Sequence, residues 1–282
     1  MVERINGLPE RYKGSFPYRD RPRNPYYYGV TEILYCLRKS FLQRVVPAPT
    51  AIDFETRVRF ARGHAMEEAF FGEKHNPEYF VGDDKLDGIE GHSDHVVRDE
   101  DGKIKEIVEF KSVRRLWYKA PNGKAYYSIG MAKKAVDKED WGKIEHRYND
   151  SHMDQLKTYM YMTGAPKGVL IYYELTTDRN YTWEITSDEI DDDFKKRIDD
   201  RLSMMQKCMD EKTVPEKMFT YDWECNLCSF NKNGICQLCD VEKFDLFRFI
   251  RDLEIFNGKP FDDVLSDYLK KYDIKPGNVG TS

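Results

Sequence analysis

The stretch IVEFKSV, residues 107–113, sets an acid and a base inside an otherwise apolar strand. Strand side chains alternate between faces, so Ile107, Glu109, Lys111 and Val113 point one way and Val108, Phe110 and Ser112 the other. A strand this rich in Val, Ile and Phe belongs in a core, and a core takes a Glu/Lys pair only with partners or a task. Upstream, GIEGHSDHVV is a second strand signal, and the turn DEDGK folds IKEIVEFKSV back antiparallel onto it. That pairing brings Asp94 within reach of Glu109. Two carboxylates in a partly buried place repel, and a divalent cation such as Mg²⁺, which takes oxygen ligands, relieves the repulsion. Taken alone, a Glu-x-Lys strand is an ordinary ion pair.

Elsewhere, Thr31 reads as the N-cap of a helix, EILYCLRKSFLQRVV, that carries Cys36 and stops at Pro47 and Pro49. A second helix covers FETRVRFARGHAMEEAFFGEK, and YFVG is a strand. Residues 114–150 are polar, basic and irregular. SHMDQLKTYMYMTG is a helix stopped by Gly164 and Pro166, and GVLIYYEL and NYTWEIT are strands joined by TTDR. A long helix runs from about Ser187 to Lys212, and amphipathic helices lie near 243–256 and 260–272 before a frayed tail, KPGNVGTS. This order predicts an α/β fold with a mixed central sheet flanked by helices and a cysteine-rich subdomain.

Four of the six cysteines, Cys225, Cys228, Cys236 and Cys239, crowd into fifteen residues in the pattern CxxC-x₇-CxxC. In a cytosolic chain such a cluster is a metal site rather than a disulfide framework, and these four alone have the spacing for a tetrahedral zinc. Cys208, in MMQKCMDEK, reads as a plain buried thiol. The 282 residues suffice for one large domain or a domain with a satellite. No apolar run approaches a membrane span, and MVERINGLPERYKG has no apolar leader, so a cytoplasmic protein off the membrane is expected. The net charge of −5 does not advertise nucleic-acid binding, but residues 112–147 carry nine Lys or Arg against four acids. SFPYRDRPRNPYYYG interleaves tyrosine with arginine, a mixture that suits phosphates and stacked bases.

Gly91-His92-Ser93-Asp94, fourteen residues, then Glu109-Phe110-Lys111 resembles the D…ExK core of the PD-(D/E)XK nuclease superfamily. Arg62-Gly63-His64-Ala65-Met66-Glu67 resembles the helical GxxxH or GxxxE motif of its RecB-like branch, with Glu67 where many members have histidine. Gln155-Leu156-Lys157-Thr158-Tyr159 matches that branch's QxxxY motif. The resemblance implies that Glu67, Asp94 and Glu109 hold Mg²⁺ or Mn²⁺, with the Phe110 carbonyl as a further ligand. Lys111 would then position or help deprotonate the attacking water and offset phosphate charge. Gln155 and Tyr159 would contact the scissile region and support Lys111, and His64 would be no ligand.

One early cysteine and three late ones around such a core resemble the iron–sulfur nucleases, namely the CRISPR-associated exonucleases of the fourth Cas family and the AddB-type nuclease domain. That likeness implies a [4Fe–4S] cluster on Cys36, Cys225, Cys228 and Cys236. The family spacing is C-x₂-C-x₅-C and this chain has C-x₂-C-x₇-C, so Cys239 competes with Cys236 for the fourth place, and zinc competes with iron. The domains expected are a loop-rich arm at 1–29, the nuclease core at 30–215, the cysteine segment at 216–240 and a helical extension at 241–282. That extension either packs on the core or binds a helicase or integrase. The reading is a Mg²⁺- or Mn²⁺-dependent DNA exonuclease acting on single strands or free ends. The alternative is a module that holds DNA ends or a partner without cutting. Polarity, oligomeric state and setting, whether CRISPR, repair or recombination, stay open.

Overall fold

The computed structural model describes residues 27–46, 54–82, 86–114, 116–126, 129–218, 220–221, 223–232, 234–241, 243–255 and 261–274. Pro47, Pro49, Arg115, the tail from Lys275 and the arm up to Pro25-Tyr26 lie outside them. In chain order the elements are β1 (Tyr28–Gly29), α1 (Val30–Leu34), α2 (Leu37–Val45), α3 (Phe54–Phe71), β2 (Glu78–Val81), β3 (Ile89–Ser93), β4 (His95–Arg98) and β5 (Ile104–Val113). Then come β6 (Trp117–Lys119), β7 (Ala125–Tyr126), α4 (Ile129–Lys134), β8 (Glu145–Arg147), α5 (Asp150–Thr163), β9 (Lys167–Glu174) and β10 (Arg179–Thr186). Last are α6 (Asp192–Asp210), three one-turn helices α7 (Glu224–Leu227), α8 (Ser229–Lys232) and α9 (Ile235–Leu238), and α10 (Leu246–Ile255) and α11 (Phe261–Lys271).

The chain forms two compact units, one of Met1–Tyr27 with Ile52–Lys195, the other of Tyr28–Ala51 with Lys196–Ser282. These divide the chain differently from the motif-based boundaries at 30, 215 and 240: the Cys36 region goes with the C-terminal half. In the first unit a four-stranded mixed sheet runs β10-β9-β5-β4, antiparallel except for the parallel β9–β5 pair. Helix α5 packs on β5 and β9, and α3 packs on β5. Asn149 caps α5 through its side chain, and Gly164 ends it in the left-handed region at φ 67°. Gly168 lets α5 come close to β9. A Cβ there would collide with Met160 Sδ and stand 3.0 Å from Leu156 Cγ.

Three local expectations are corrected. The strand over residues 88–97 breaks at Asp94: β3 pairs with β2, whereas β4 pairs with β5. The break frees the Asp94 carboxylate to accept from the Phe110 N–H at 2.7 Å. Residues 114–150 are not irregular, because β6 pairs antiparallel with both β7 and β8 in a small sheet. Strands of two or three residues are too short for a periodicity to register.

The helix drawn through Cys36 is interrupted there. Thr31 lies inside α1, whose N-cap is Gly29, and Tyr35 takes an extended conformation. The bend is held within the second unit. The Arg201 guanidinium, on α6, donates to the carbonyls of Ile33, Leu34 and Tyr35. The buried Glu224 carboxylate accepts from the N–H groups of Cys36 at 2.5 Å and of Thr220 and Tyr221 at 2.9 Å. An unbroken helix would have satisfied those carbonyls itself, so no local signal marks the break.

The same unit buries the apolar faces of α10 and α11. Phe244, Phe249 and Tyr268 form one aromatic cluster with centroids 5.3–5.9 Å apart, and Phe247 meets Phe41 of α2 edge-on.

Candidate active site and cysteine pocket

Strand β5 brings Glu109 and Lys111 to the face covered by α5. Glu109 is fully buried. One carboxylate oxygen is in contact with the Lys111 ammonium, and the other, Oε2, has no hydrogen-bond partner among the described residues. Burial, together with the neighbouring Asp94, pushes the Glu109 carboxyl up to about 8 against the pull of Lys111. Lys111 also stands 3.8 Å from Asp94. Burial opposes its charge, but the two acids outweigh burial and keep it an ammonium well above the usual lysine range.

Glu67, on α3, joins these acids by charge: its carboxyl is raised by burial and by Asp94. His75 Nε2 holds Glu67 Oε1 at 2.9 Å. His64 is exposed, 3.8 Å from the same carboxylate. His75 stacks on Phe71, which stacks in turn on His95 and meets Phe110 edge-on. On α5, Gln155 Nε2 donates to the Tyr159 hydroxyl at 3.1 Å. Burial and the Glu109 charge raise Tyr159, so it stays a neutral phenol. The six residues read from the motifs therefore share one neighbourhood.

His75 and His152 belong to the site and are absent from the sequence reading. His152 lies one turn before Gln155 and contacts the Tyr172 hydroxyl through Nδ1 at 2.7 Å. The Asn149 N–H donates to the same hydroxyl at 2.8 Å. Burial, with help from Lys111, drives His152 down to about 3, so the ring is neutral. The three-residue spacing to Gln155 is a signal that could have found it. His75, beyond the turn at Gly72, has none.

Among the described residues, no three His, Cys, Asp or Glu side chains converge closely enough, as placed, to hold a metal ion. The donor chemistry still suits a hard divalent cation. Glu67, Asp94 and Glu109 repel one another by charge, Glu109 Oε2 is buried without a partner among the described residues, and Lys111 provides compensating charge.

In the second unit, Cys36, Cys225, Cys228 and Cys236 line a small pocket with Lys39, Lys217 and Glu224 among its walls. Cys36 occupies the N-cap of α2. Burial raises its thiol, the nearby amides of Lys39 and Arg38 lower it, and Glu224 and Cys225 raise it further. Cys236 is raised by burial and lowered by Arg38 and Lys217. Arg38 also donates to the carbonyls of Pro215 and Cys236 and to Asp240. Cys239 does not line the pocket, and burial pushes its thiol up to about 12. Cys208 is buried away from it, as expected.

No family model and no curated protein matches the sequence. Among solved structures, that of SSO0001 overlaps with a TM-score of 0.48 at 17% identity, over 76% of this chain and 87% of that one. The alkaline exonuclease LHK-Exo from Laribacter hongkongensis overlaps with a TM-score of 0.39 at 13% identity, over 66% and 91%. Its complex with dAMP gives 0.36 at 12%. Overlap this slight says nothing of activity. The class stands on the fold itself, a mixed sheet flanked by helices. Among the described residues no helix is long and apolar enough to cross a membrane.

Proposed function

We propose that this chain is a divalent-metal-dependent deoxyribonuclease acting on single strands or free ends, with a structural [4Fe–4S] cluster. The observation that carries the reading is the buried Glu109. Its unpartnered oxygen, the adjoining Asp94 and Glu67, and the enforced ammonium of Lys111 form a site costly to a fold that did not use it.

Glu67, Asp94 and Glu109, with the Phe110 carbonyl, would hold Mg²⁺ or Mn²⁺. The ion, when bound, supplies Lewis-acid stabilisation and a water of lowered pKa. Lys111, kept charged by its neighbours, serves to orient water and offset phosphate charge rather than to accept a proton. Tyr159 accepts from Gln155 and keeps its own O–H as a donor toward a phosphate oxygen. End-labelled single strands should be degraded with Mn²⁺ or Mg²⁺ and left intact in EDTA. Persistence of the label in both would dismiss the nuclease reading in favour of a binding module.

Four cysteines lining one pocket, with lysines at its wall, support the cluster set Cys36, Cys225, Cys228 and Cys236 over the local zinc set that needs Cys239. Protein purified without oxygen should be brown and contain iron and acid-labile sulfide. Cys236→Ser should lose the colour and Cys239→Ser keep it. A colourless protein containing zinc would reverse the assignment.

A further inference from the structure

Between Lys111 and Gln155 the chain inserts a small module that no motif accounts for. It leaves β5 at Val113 and returns at Asn149, the cap of α5, so it is bracketed by the two elements that carry the site. Its root is anchored. The buried Glu174 carboxylate at the end of β9 accepts from the Leu116 N–H at 3.4 Å, and the Val113 carbonyl accepts from Leu175 at 2.9 Å.

The module's sheet has two unlike faces. Tyr118 and its cross-strand partner His146 pack together at 4.8 Å, and His146 lies 4.0 Å from Tyr181 of β10. That face is therefore laid on the core. Alternation puts Trp117 and Lys119 on the other face, with Arg147 opposite Trp117 and Glu145 opposite Lys119. Trp117 is 46% exposed, and Lys119 is exposed as well. A second indole, Trp141, donates to the Lys133 carbonyl of α4, the helix that packs on β6 and β7; it is 38% exposed with the Lys133 ammonium 4.8 Å from its ring centre. Indoles this exposed are uncommon, and the segment that carries both, residues 112–147, holds nine Lys or Arg against four acids.

Phosphates are attracted by the lysines and by Arg147, whose pairing with Asp150 at 2.9 Å is an exposed one that a phosphate can exchange with, and unpaired bases have free faces to stack on an indole, whereas the bases of a duplex do not. From this we infer that the outer face built on Trp117, Lys119 and Arg147, with Trp141 beside it, is a platform for single-stranded DNA. It grips the strand next to the site by base stacking and phosphate contact. β6 starts six residues beyond Lys111, so an extended connection keeps the platform within about 20 Å of it. The inference deepens the nuclease reading and rests on it.

The test is binding without cleavage. Fluorescence anisotropy of a labelled single strand and of a duplex of the same sequence is measured in EDTA. Trp117→Ala should weaken single-strand binding by about five-fold or more while duplex binding is unchanged, and Trp117→Phe should restore most of the loss. Single-strand affinity unchanged in Trp117→Ala, or lost equally for the duplex, overturns the platform. Cleavage by Glu109→Gln is scored separately. If that variant is inactive while Trp117→Ala binds normally, the platform fails and the nuclease reading stands. If Glu109→Gln cuts at the wild-type rate, the nuclease reading fails by itself.

Discussion

Glu109→Gln should abolish DNA hydrolysis, lowering the rate by about 10³-fold or more, and should leave the protein folded. The two outcomes have one cause. The carboxylate is fully buried; one oxygen meets Lys111, and the other has no partner among the described residues, so that second oxygen is available to a ligated ion. The neutral amide keeps the shape and removes the charge. In the folded chain Glu109 holds its proton up to about pH 8, against an ordinary carboxylate value of 4.5. The folded state therefore binds the extra proton between these values. The stability this confers is fully present below the lower value and is lost as pH rises through about 8. Without added metal, wild type should weaken between pH 6 and 8.5 by on the order of 1–3 kcal/mol more than Glu109→Gln does. Lys111 moderates the effect, because Asp94 remains to pair with it in the variant. Thermal melts of both proteins across that range check the sign, and full activity in Glu109→Gln would remove Glu109 from the site.

The other large effect is expected far from any motif. Arg201→Met should cost about 3–5 kcal/mol, read as a shift in denaturant midpoint. The guanidinium serves three successive carbonyls, those of Ile33, Leu34 and Tyr35, at the bend before Cys36. Methionine fills the volume but takes the guanidinium donor from the Ile33 and Tyr35 carbonyls in a buried place, while Leu34 keeps the Thr220 hydroxyl at 2.7 Å. Glu224, which feels the Arg201 charge and holds the Cys36 amide, loses its compensation as well. Since the bend sets where Cys36 enters the pocket, the cluster proposed there predicts that the variant also retains less iron on purification. A midpoint within about 0.5 kcal/mol of wild type would show that the bend is held by other contacts.

The strands β5, β9 and β10 and helices α3, α5, α10 and α11 were legible because each is long enough for its periodicity to show. Asp94, Glu109, Lys111, Gln155 and Tyr159 were legible because their spacing is local to a hairpin or a single helical turn. The break at Asp94, the bend at Cys36 and the short strands of residues 117–147 were not. Each is stabilised by a group distant in the chain: the Phe110 amide, Arg201 and Glu224, and Tyr181.

The sequence by itself determined the α/β class, the alternation that turns Glu109 and Lys111 to one face, and the cysteine content. These depend on side-chain period and residue type alone. Only the tertiary structure decided that one Glu109 oxygen is left without a partner and that Cys236 rather than Cys239 lines the pocket with Cys36. It also decided that His75 and His152 join the site and that Trp117 faces outward. Burial and partnership are properties of what packs against a residue, and the packing groups here come from segments tens to nearly two hundred positions away.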